Sequence, residues 1–335
     1  MKKLLFAAVL LMATASPVAG QTVLQFALPT PETHPRNQAL RIWADTVAER
    51  SEDNMRIAFR HGVTDYTGTR IPDAVAEGVY DLAAPGWWHL ARHAPDYAIA
   101  SLPAFYGRDL AAMRAVFDGT AGLALKERLE SALRVRVLGR PLDLGFGHVY
   151  TAGTPVKTHA DLKDLNIRVP GGSADLARYL VFGATPRKVA VHDLADALRR
   201  NLIGGLLTTH NFVADAALWD AGIRHAFLDR QVFYHYTPIV NRSRWEALFD
   251  DERLWLIEAW EVTIDGMRRN AAERQARARA SGEASGIEFV EPSREELRTM
   301  RKTLMEEQPA LVKALEVDPA LVQQAEAALD AADAR

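Results

Sequence analysis

Val23, Leu24, Phe26 and Ala27 make a short apolar run that Pro29, Pro31 and Pro35 bring to a stop, which predicts a first strand. Leu40, Trp43, Ala44 and Val47 then recur at the spacing of one helix face, predicting a helix over 37–50. Residues 55–60 alternate as a second strand, a loop carrying Tyr66 follows, and a helix over 71–77 closes at Gly78. The apolar run 80–84 ends at Pro85-Gly86. Strand, helix, strand, helix, strand in that order predicts a parallel sheet with helices on its faces.

Helix spacing continues over 110–133, and strands are expected at 134–139, 145–151 and 166–170. Gly171-Gly172-Ser173 opens a helix over 174–180 with Ser173 as its N-cap, so the free amides of that first turn are expected near Arg168. A further helix ends near Arg199, a buried strand spans 203–207, and a long strand spans 231–240. In that long strand alternation puts Tyr234 and Tyr236 on one face and Phe233 and His235 on the other. From Asn241 the pattern is helical. Trp245, Leu248, Leu254, Ile257, Trp260, Ile264 and Met267 keep helix spacing toward a break at 281–286, and two more helices reach the end.

At 335 residues, 48% hydrophobic and 25% charged, the chain can bury the cores of about two domains. It has no cysteine, which excludes a disulfide framework, a thiolate zinc site and a catalytic thiol. A formal net charge of -3 supplies no basic field for nucleic acid or anionic lipid. The first residues change the picture more. Lys2-Lys3, an apolar run over 4–13 and the small residues of Ser16-Pro17-Val18-Ala19-Gly20 have the layout of a secretory signal peptide over 1–20. No later stretch has the ~20 consecutive apolar residues that span a bilayer, so the mature chain is expected to start at Gln21, exported and not inserted in the membrane.

Enzyme signatures are missing: the sequence has no G-x-S-x-G elbow, no H-E-x-x-H, no phosphate loop and no G-x-G-x-x-G. His89 and His93 stand four apart, but no nearby carboxylate completes a metal site, and neither a metal nor another cofactor is expected. Arg168 stands out. It sits in Ile167-Arg168-Val169 directly before Pro170-Gly171-Gly172, at a strand end, where open α/β sheets place their ligands. A guanidinium there can hold a carboxylate through two parallel hydrogen bonds. A structural arginine bridging to an Asp of a neighbouring loop would leave the same trace in the sequence.

Residues 160–170 read A-D-L-K-D-L-N-I-R-V-P, which resembles the D-L-K-G-L-K-I-R-V-P segment of the DctP family, the solute-binding proteins of tripartite ATP-independent periplasmic (TRAP) transporters. The likeness continues in order over almost the whole mature chain. It includes His34-Pro35 before the helix with Trp43, Glu77-Gly78-Val79-Tyr80-Asp81, Leu102-Pro103-Ala104-Phe105, Gly183-Ala184-Thr185-Pro186, Ala197-Leu198 with Gly204-Gly205, and Asn241 to Leu248. This resemblance implies an α/β, two-lobed periplasmic-binding-protein-like fold with a ligand cleft and a long C-terminal helix spanning both lobes. On it, lobe I takes 21–145 and 233–273, and lobe II takes 146–232 and 274–335. It further implies a carboxylate clamp at Arg168, closure of the lobes over an organic acid, delivery to TRAP membrane subunits, and no catalysis.

Departures from the family pattern bear on the ligand. His148 stands where the family's sialic-acid binders carry a second Arg, which argues against sialic acid and makes an ionic contact there pH-dependent. Leu206-Leu207-Thr208-Thr209 replaces acidic and amide groups. Trp87-Trp88-His89 falls where relatives have a polar or acidic wall, and adjacent indoles suit an aromatic or apolar ligand. Thr208, Thr209 and His210 leave their strand at its end, Tyr66 lies on a loop at the mouth, and Tyr236 is taken from the long strand. The expected ligand contacts are thus Arg168, His148, Trp87, Trp88, His89, Thr208, Thr209, His210, Tyr66 and Tyr236. The expected ligand is a monocarboxylate with an aromatic or apolar body. A binding protein of the same fold feeding a receptor, and an exported hydrolase, are the alternatives.

Overall fold

The computed structural model describes residues 21–30, 32, 34–66, 68–169 and 172–334. The expected leader, 1–20, and Pro170-Gly171 lie outside the described residues. The strands are β1 (Thr22–Leu28), β2 (Met55–His61), β3 (Leu82–Ala83), β4 (Val135–Val137), β5 (Leu142–Ala152), β6 (Asn166–Val169), β7 (Thr185–Lys188), β8 (Gly205–Thr208), β9 (Ile223–Tyr236), β10 (Ile239–Asn241) and β11 (Glu288–Val290). They form two sheets, ordered β2-β1-β3-β10-β4 and β11-β9-β5-β8-β6-β7. In the first, β1 pairs in parallel with both β2 and β3, as the alternation of strand and helix requires.

The first apolar run and the first amphipathic helix meet in one core. Phe26 packs edge-on against Trp43 at 6.0 Å between ring centroids, and Trp43 against Trp260 at 5.6 Å. Trp43 Nε1 donates to Leu256 O at 3.2 Å, so the indole is both buried and satisfied. Leu256, Trp260, Ile264 and Met267 bring the long helix, Asp250–Ala284, onto this lobe. Its 35 residues give a length of about 52 Å, enough to reach the other lobe. There Gln275 donates to Leu144 O at 2.7 Å and accepts from Asn211 N at 3.1 Å. Midway, buried Arg268 grips Asp118 with both Nη atoms at 2.7 Å.

β5 and β9 run between the lobes. Their antiparallel register extends from Ala152↔Ile223 to Leu142↔Tyr236, and Thr237 N then donates to Pro85 O at 2.9 Å in the first lobe. Between the pairs Gly147↔Val232 and Val149↔Phe227 the register slips, leaving 228–231 opposite His148. This bulge explains why the sequence pattern shows only the second half of β9, and it puts Arg230 in the left-handed region (φ 48°).

Several expectations need correction. The helical stretch 110–133 is two helices, Leu110–Phe117 and Thr120–Ala132, because Asp118 turns to Arg268 and Gly119 faces Ala115 O. Ser173 is the first residue of its helix, and Gly172 holds the cap position with φ 107°, a conformation that favours glycine. The long helix continues through a buried Gly282 and stops only before Gly286, at φ 86°. β7 has no signal in the pattern, and the chain end holds three helices, Arg294–Leu304, Gln308–Ala314 and Pro319–Asp333. Arg294–Leu304 packs in the second lobe through Leu297 and Leu304. Pro319–Asp333 packs through Leu321, Val322, Ala325 and Leu329 on the helices that follow Asp109 and Gly119.

Trp43→Ala removes a buried indole that joins the first strand to the long helix. It is expected to lower stability by about 3–5 kcal/mol in urea unfolding, while leaving the folded protein's ligand affinity unchanged.

Candidate ligand cleft

Strand alternation sends Ile167 and Val169 of β6 into the second lobe's core and leaves Arg168 on the other face. Arg168 is 8% exposed. Its Nε donates to Val189 O at 3.1 Å, and its terminal nitrogens bond no described residue. No described carboxylate comes within ion-pair distance of it. Asp175, the acid that acts on it electrostatically, is committed to Arg178 at 3.0 Å. Burial pulls the guanidinium's pKa below its ordinary value, with Tyr234 and Asp175 acting in the opposite direction. Among the described residues nothing bonds the terminal nitrogens or pairs with the charge, an arrangement that suits an anion.

Register carries the same face across the sheet, from Arg168 to Leu206 on β8 and from Thr208 to His148 on β5. Thr208 is a buried residue whose hydroxyl bonds no described residue. Thr209 caps the helix His210–Asp215 by accepting from Phe212 N at 3.3 Å, so one of its lone pairs is used. The His148 ring stacks on His210 with centroids 4.9 Å apart, and His210 in turn bonds Tyr150. His148 Nδ1 accepts from Arg230 N at 3.2 Å, which assigns its ring proton to Nε2. Burial holds His148 well below its ordinary pKa, with His210, Arg230 and Arg279 adding to the effect. At neutral pH it offers a neutral N–H, not a second positive charge.

The adjacent tryptophans divide. Trp87 is core, with Nε1 donating to Phe233 O at 3.1 Å. Trp88 is half-buried between Tyr234 at 5.2 Å and Tyr236 at 5.7 Å, and its ring folds back over Gly86, where a Cβ would come within 2.4 Å of it. His89 packs against Trp88 at 5.1 Å. Tyr66 lies apart from this ladder and makes its ring contacts with Tyr80 and Arg70. His93 turns to Asp73, 3.1 Å away, so the two histidines of that spacing serve separate surroundings.

Sequence reasoning missed Arg36. It follows His34-Pro35 at the carboxyl end of β1, in the first turn of helix Pro35–Arg50, and is 7% exposed. Its Nε donates to Asn37 Oδ1 and its Nη1 to Ala84 O, both at 3.2 Å, while its Nη2 donates to Thr30 Oγ1 at 2.8 Å. The guanidinium also lies 4.7 Å from the Tyr236 ring centroid. Every one of these partners is neutral. The signal was its place directly after the strand-ending prolines, at the strand ends where α/β sheets hold ligands. Two hollows elsewhere, of about 230 Å³ beside Tyr97, Phe117 and His235 and of about 930 Å³ beside Arg108 and Arg301, border neither arginine.

Residues 26–312 match the model of DctP, the bacterial extracellular solute-binding protein family 7. The chain belongs to that family. This DctP-family chain is 24% identical, over 85% of its length and 86% of the relative's, to the 2,3-diketo-L-gulonate-binding periplasmic protein YiaO of Escherichia coli K12. It is 26% identical to the C4-dicarboxylate-binding periplasmic protein DctP of Rhodobacter capsulatus, over 69% of each chain. Among solved structures, a TRAP periplasmic solute-binding protein of Ochrobactrum anthropi superposes with a TM-score of 0.88 at 19% identity, covering 94% of this chain and 97% of that one. A TRAP solute-binding protein of Ralstonia eutropha with bound (S)-2-acetolactate gives 0.79 at 23% identity, covering 92% and 98%. These likenesses show the two-lobed fold. The family consists of binding proteins, and the chain is not an enzyme.

Burial sets the acid response of this DctP-family chain. His34 and His235 are held at about 3 and His89 and His210 at about 4, against an ordinary 6.5, in each case chiefly by desolvation. The unfolded chain therefore binds more protons below pH 6.5, and these groups destabilise the fold as pH falls. Asp229, raised to about 7 by burial, and Asp143, Asp175 and Asp215, also raised by burial, act in the opposite sense, but with His93, His148 and His159 lowered as well, seven histidines stand against these four acids. The urea midpoint of the ligand-free protein is expected to be flat above about pH 7 and to fall toward about pH 5; a rise toward acid would contradict the assignment.

Proposed function

We propose that this protein is the periplasmic solute-binding subunit of a TRAP transporter, that it takes an organic acid between its lobes with the carboxylate on Arg168, and that it hands it to the transporter's membrane subunits. The observation that carries this is a buried guanidinium at the carboxyl end of β6 whose terminal nitrogens have neither a hydrogen-bond partner nor a counterion among the described residues. The relatives' names support the ligand class: C4-dicarboxylates for the Rhodobacter protein and 2,3-diketo-L-gulonate for the Escherichia protein, with galactonate and orotic acid bound in two structural neighbours. Thr208 and the His148 Nε2–H supply neutral hydrogen bonds beside the clamp. A flat or apolar ligand body lies against Trp88 and Tyr234. Closure about β5 and β9 removes the ion pair from water, which strengthens it. Arg168 accounts for one carboxylate.

In isothermal titration of residues 21–335 with an acid found by thermal shift, Arg168→Ala is expected to weaken binding by about 100-fold or more, because a desolvated carboxylate loses its partner. Arg168→Lys binds weakly as well, since a point charge does not replace the fork. Ligand-free Arg168→Ala should melt at or above the parent temperature, since it loses a buried cation that has no described counterion. Undiminished affinity in Arg168→Ala removes the clamp from the site.

A further inference from the structure

Arg36 and Arg168 are two buried guanidiniums without a described carboxylate partner, one at the strand ends of each lobe. Among the described residues no carboxylate stands within ion-pair distance of Arg36, and the group that favours its charge is Tyr236, a phenol whose own pKa is raised by burial and which therefore stays neutral. The other titratable groups around Arg36 are His34 and His89, both held neutral by burial. Three of its five N–H groups reach Asn37, Ala84 and Thr30, which leaves one on each terminal nitrogen without a described acceptor. That pair of N–H groups is the arrangement that takes a carboxylate end-on. Between the two arginines runs a ladder of rings: Tyr236 beneath Arg36, then Trp88, then Tyr234, which acts electrostatically on Arg168.

We infer that Arg36 is a second anion anchor, so that the ligand is a dicarboxylate with a flat unsaturated or aromatic middle, one carboxylate on Arg168, the other on Arg36, and its face on Trp88. This rests on the assignment of Arg168 as the clamp. It revises the monocarboxylate expected from the sequence, in which only one of the two cations is visible. The rings set the specificity. A saturated, bent chain of the same charge forfeits contact with Trp88, and a monoacid leaves Arg36 buried and unpaired.

The test pairs dicarboxylates with their monoacids: phthalate, isophthalate and terephthalate with benzoate, and muconate with sorbate, titrated into residues 21–335 by calorimetry and by Trp fluorescence. A flat dicarboxylate is expected to bind about 100-fold tighter than its monoacid, the effect of one desolvated charge-assisted pair. Arg36→Gln should weaken that dicarboxylate by a similar factor while leaving the monoacid at least as tightly bound, since it removes the cation that a monoacid leaves unpaired. Arg36→Lys, which keeps the charge and lets Thr30 and Ala84 remain bonded, guards against a variant that loosens the loop; it should bind the dicarboxylate between the two. Preference for the monoacid, no binding of any of these acids, or equal weakening of both acids by Arg36→Gln overturns the inference. If Arg168→Ala still abolishes binding in those cases, the organic-acid clamp stands and only Arg36 falls. If Arg168→Ala binds normally, the clamp itself is wrong.

Discussion

The antiparallel pairing of β5 with β9 carries the chain from one lobe into the other, and its register decides which side chains share a face. Along β9, Tyr234 and Tyr236 both contact Trp88, while Phe233 and His235 both pack on Phe117 behind the strand. A slip of one residue would exchange these faces, removing the ring ladder from the cleft and the packing from the first lobe together. The bulge over 228–231 lets a strand of this length keep that register at both ends. It also aims Arg230 N at His148 Nδ1, which fixes the tautomer presented beside the clamp.

The bulge has its own cost and its own anchor. Asp229 is fully buried, accepts from Tyr106 at 3.0 Å and from Gln231 at 2.7 Å, and Tyr106 also meets His159 at 2.6 Å. Gly107 N closes the other side by donating to Arg230 O at 3.0 Å. The network bonds one oxygen of Asp229 and leaves Asp229 Oδ1 and Gln231 Oε1 buried without a described partner. The register shifts again at Asp143–Gly145 of β5, where Gly145 takes φ 131°.

How much of this was legible in the sequence follows from what each feature needs. Parallel β1, β2 and β3 and the long helix are written in local periodicity, because their apolar residues face one side of a regular element. β7 reads Thr-Pro-Arg-Lys at an exposed sheet edge, where no burial imposes a pattern, and the first half of β9 is hidden because its bulge puts Asp229 and Arg230 into what should alternate. Arg168 could be named because a motif surrounds it. Trp87 and Trp88 could be named but not told apart: the glycine before them folds one ring back toward the cleft, a matter of backbone direction. Arg36 had only its place after the strand-ending prolines as a signal. What marks it is that no described acid pairs with it among the residues that meet beyond β1 and β3 and on β9, and that exists only in three dimensions.

Two like charges held out of water without counterions bear on how the lobes move. In an open cleft both guanidiniums are hydrated, and their mutual repulsion is screened. Closure strips that hydration, and the desolvation term disfavours the charged form of each arginine. Closing an empty cleft therefore opposes itself, whereas closing over an anion replaces lost hydration with a charge-assisted pair in a low dielectric. The ligand's differential affinity for the closed state is then the quantity that sets the lobes' equilibrium, as population-shift arithmetic demands. Neutral His34 and His89 belong to the same logic: a protonated imidazole beside Arg36 would add a second buried positive charge there, so burial keeps these rings as hydrogen-bonding groups.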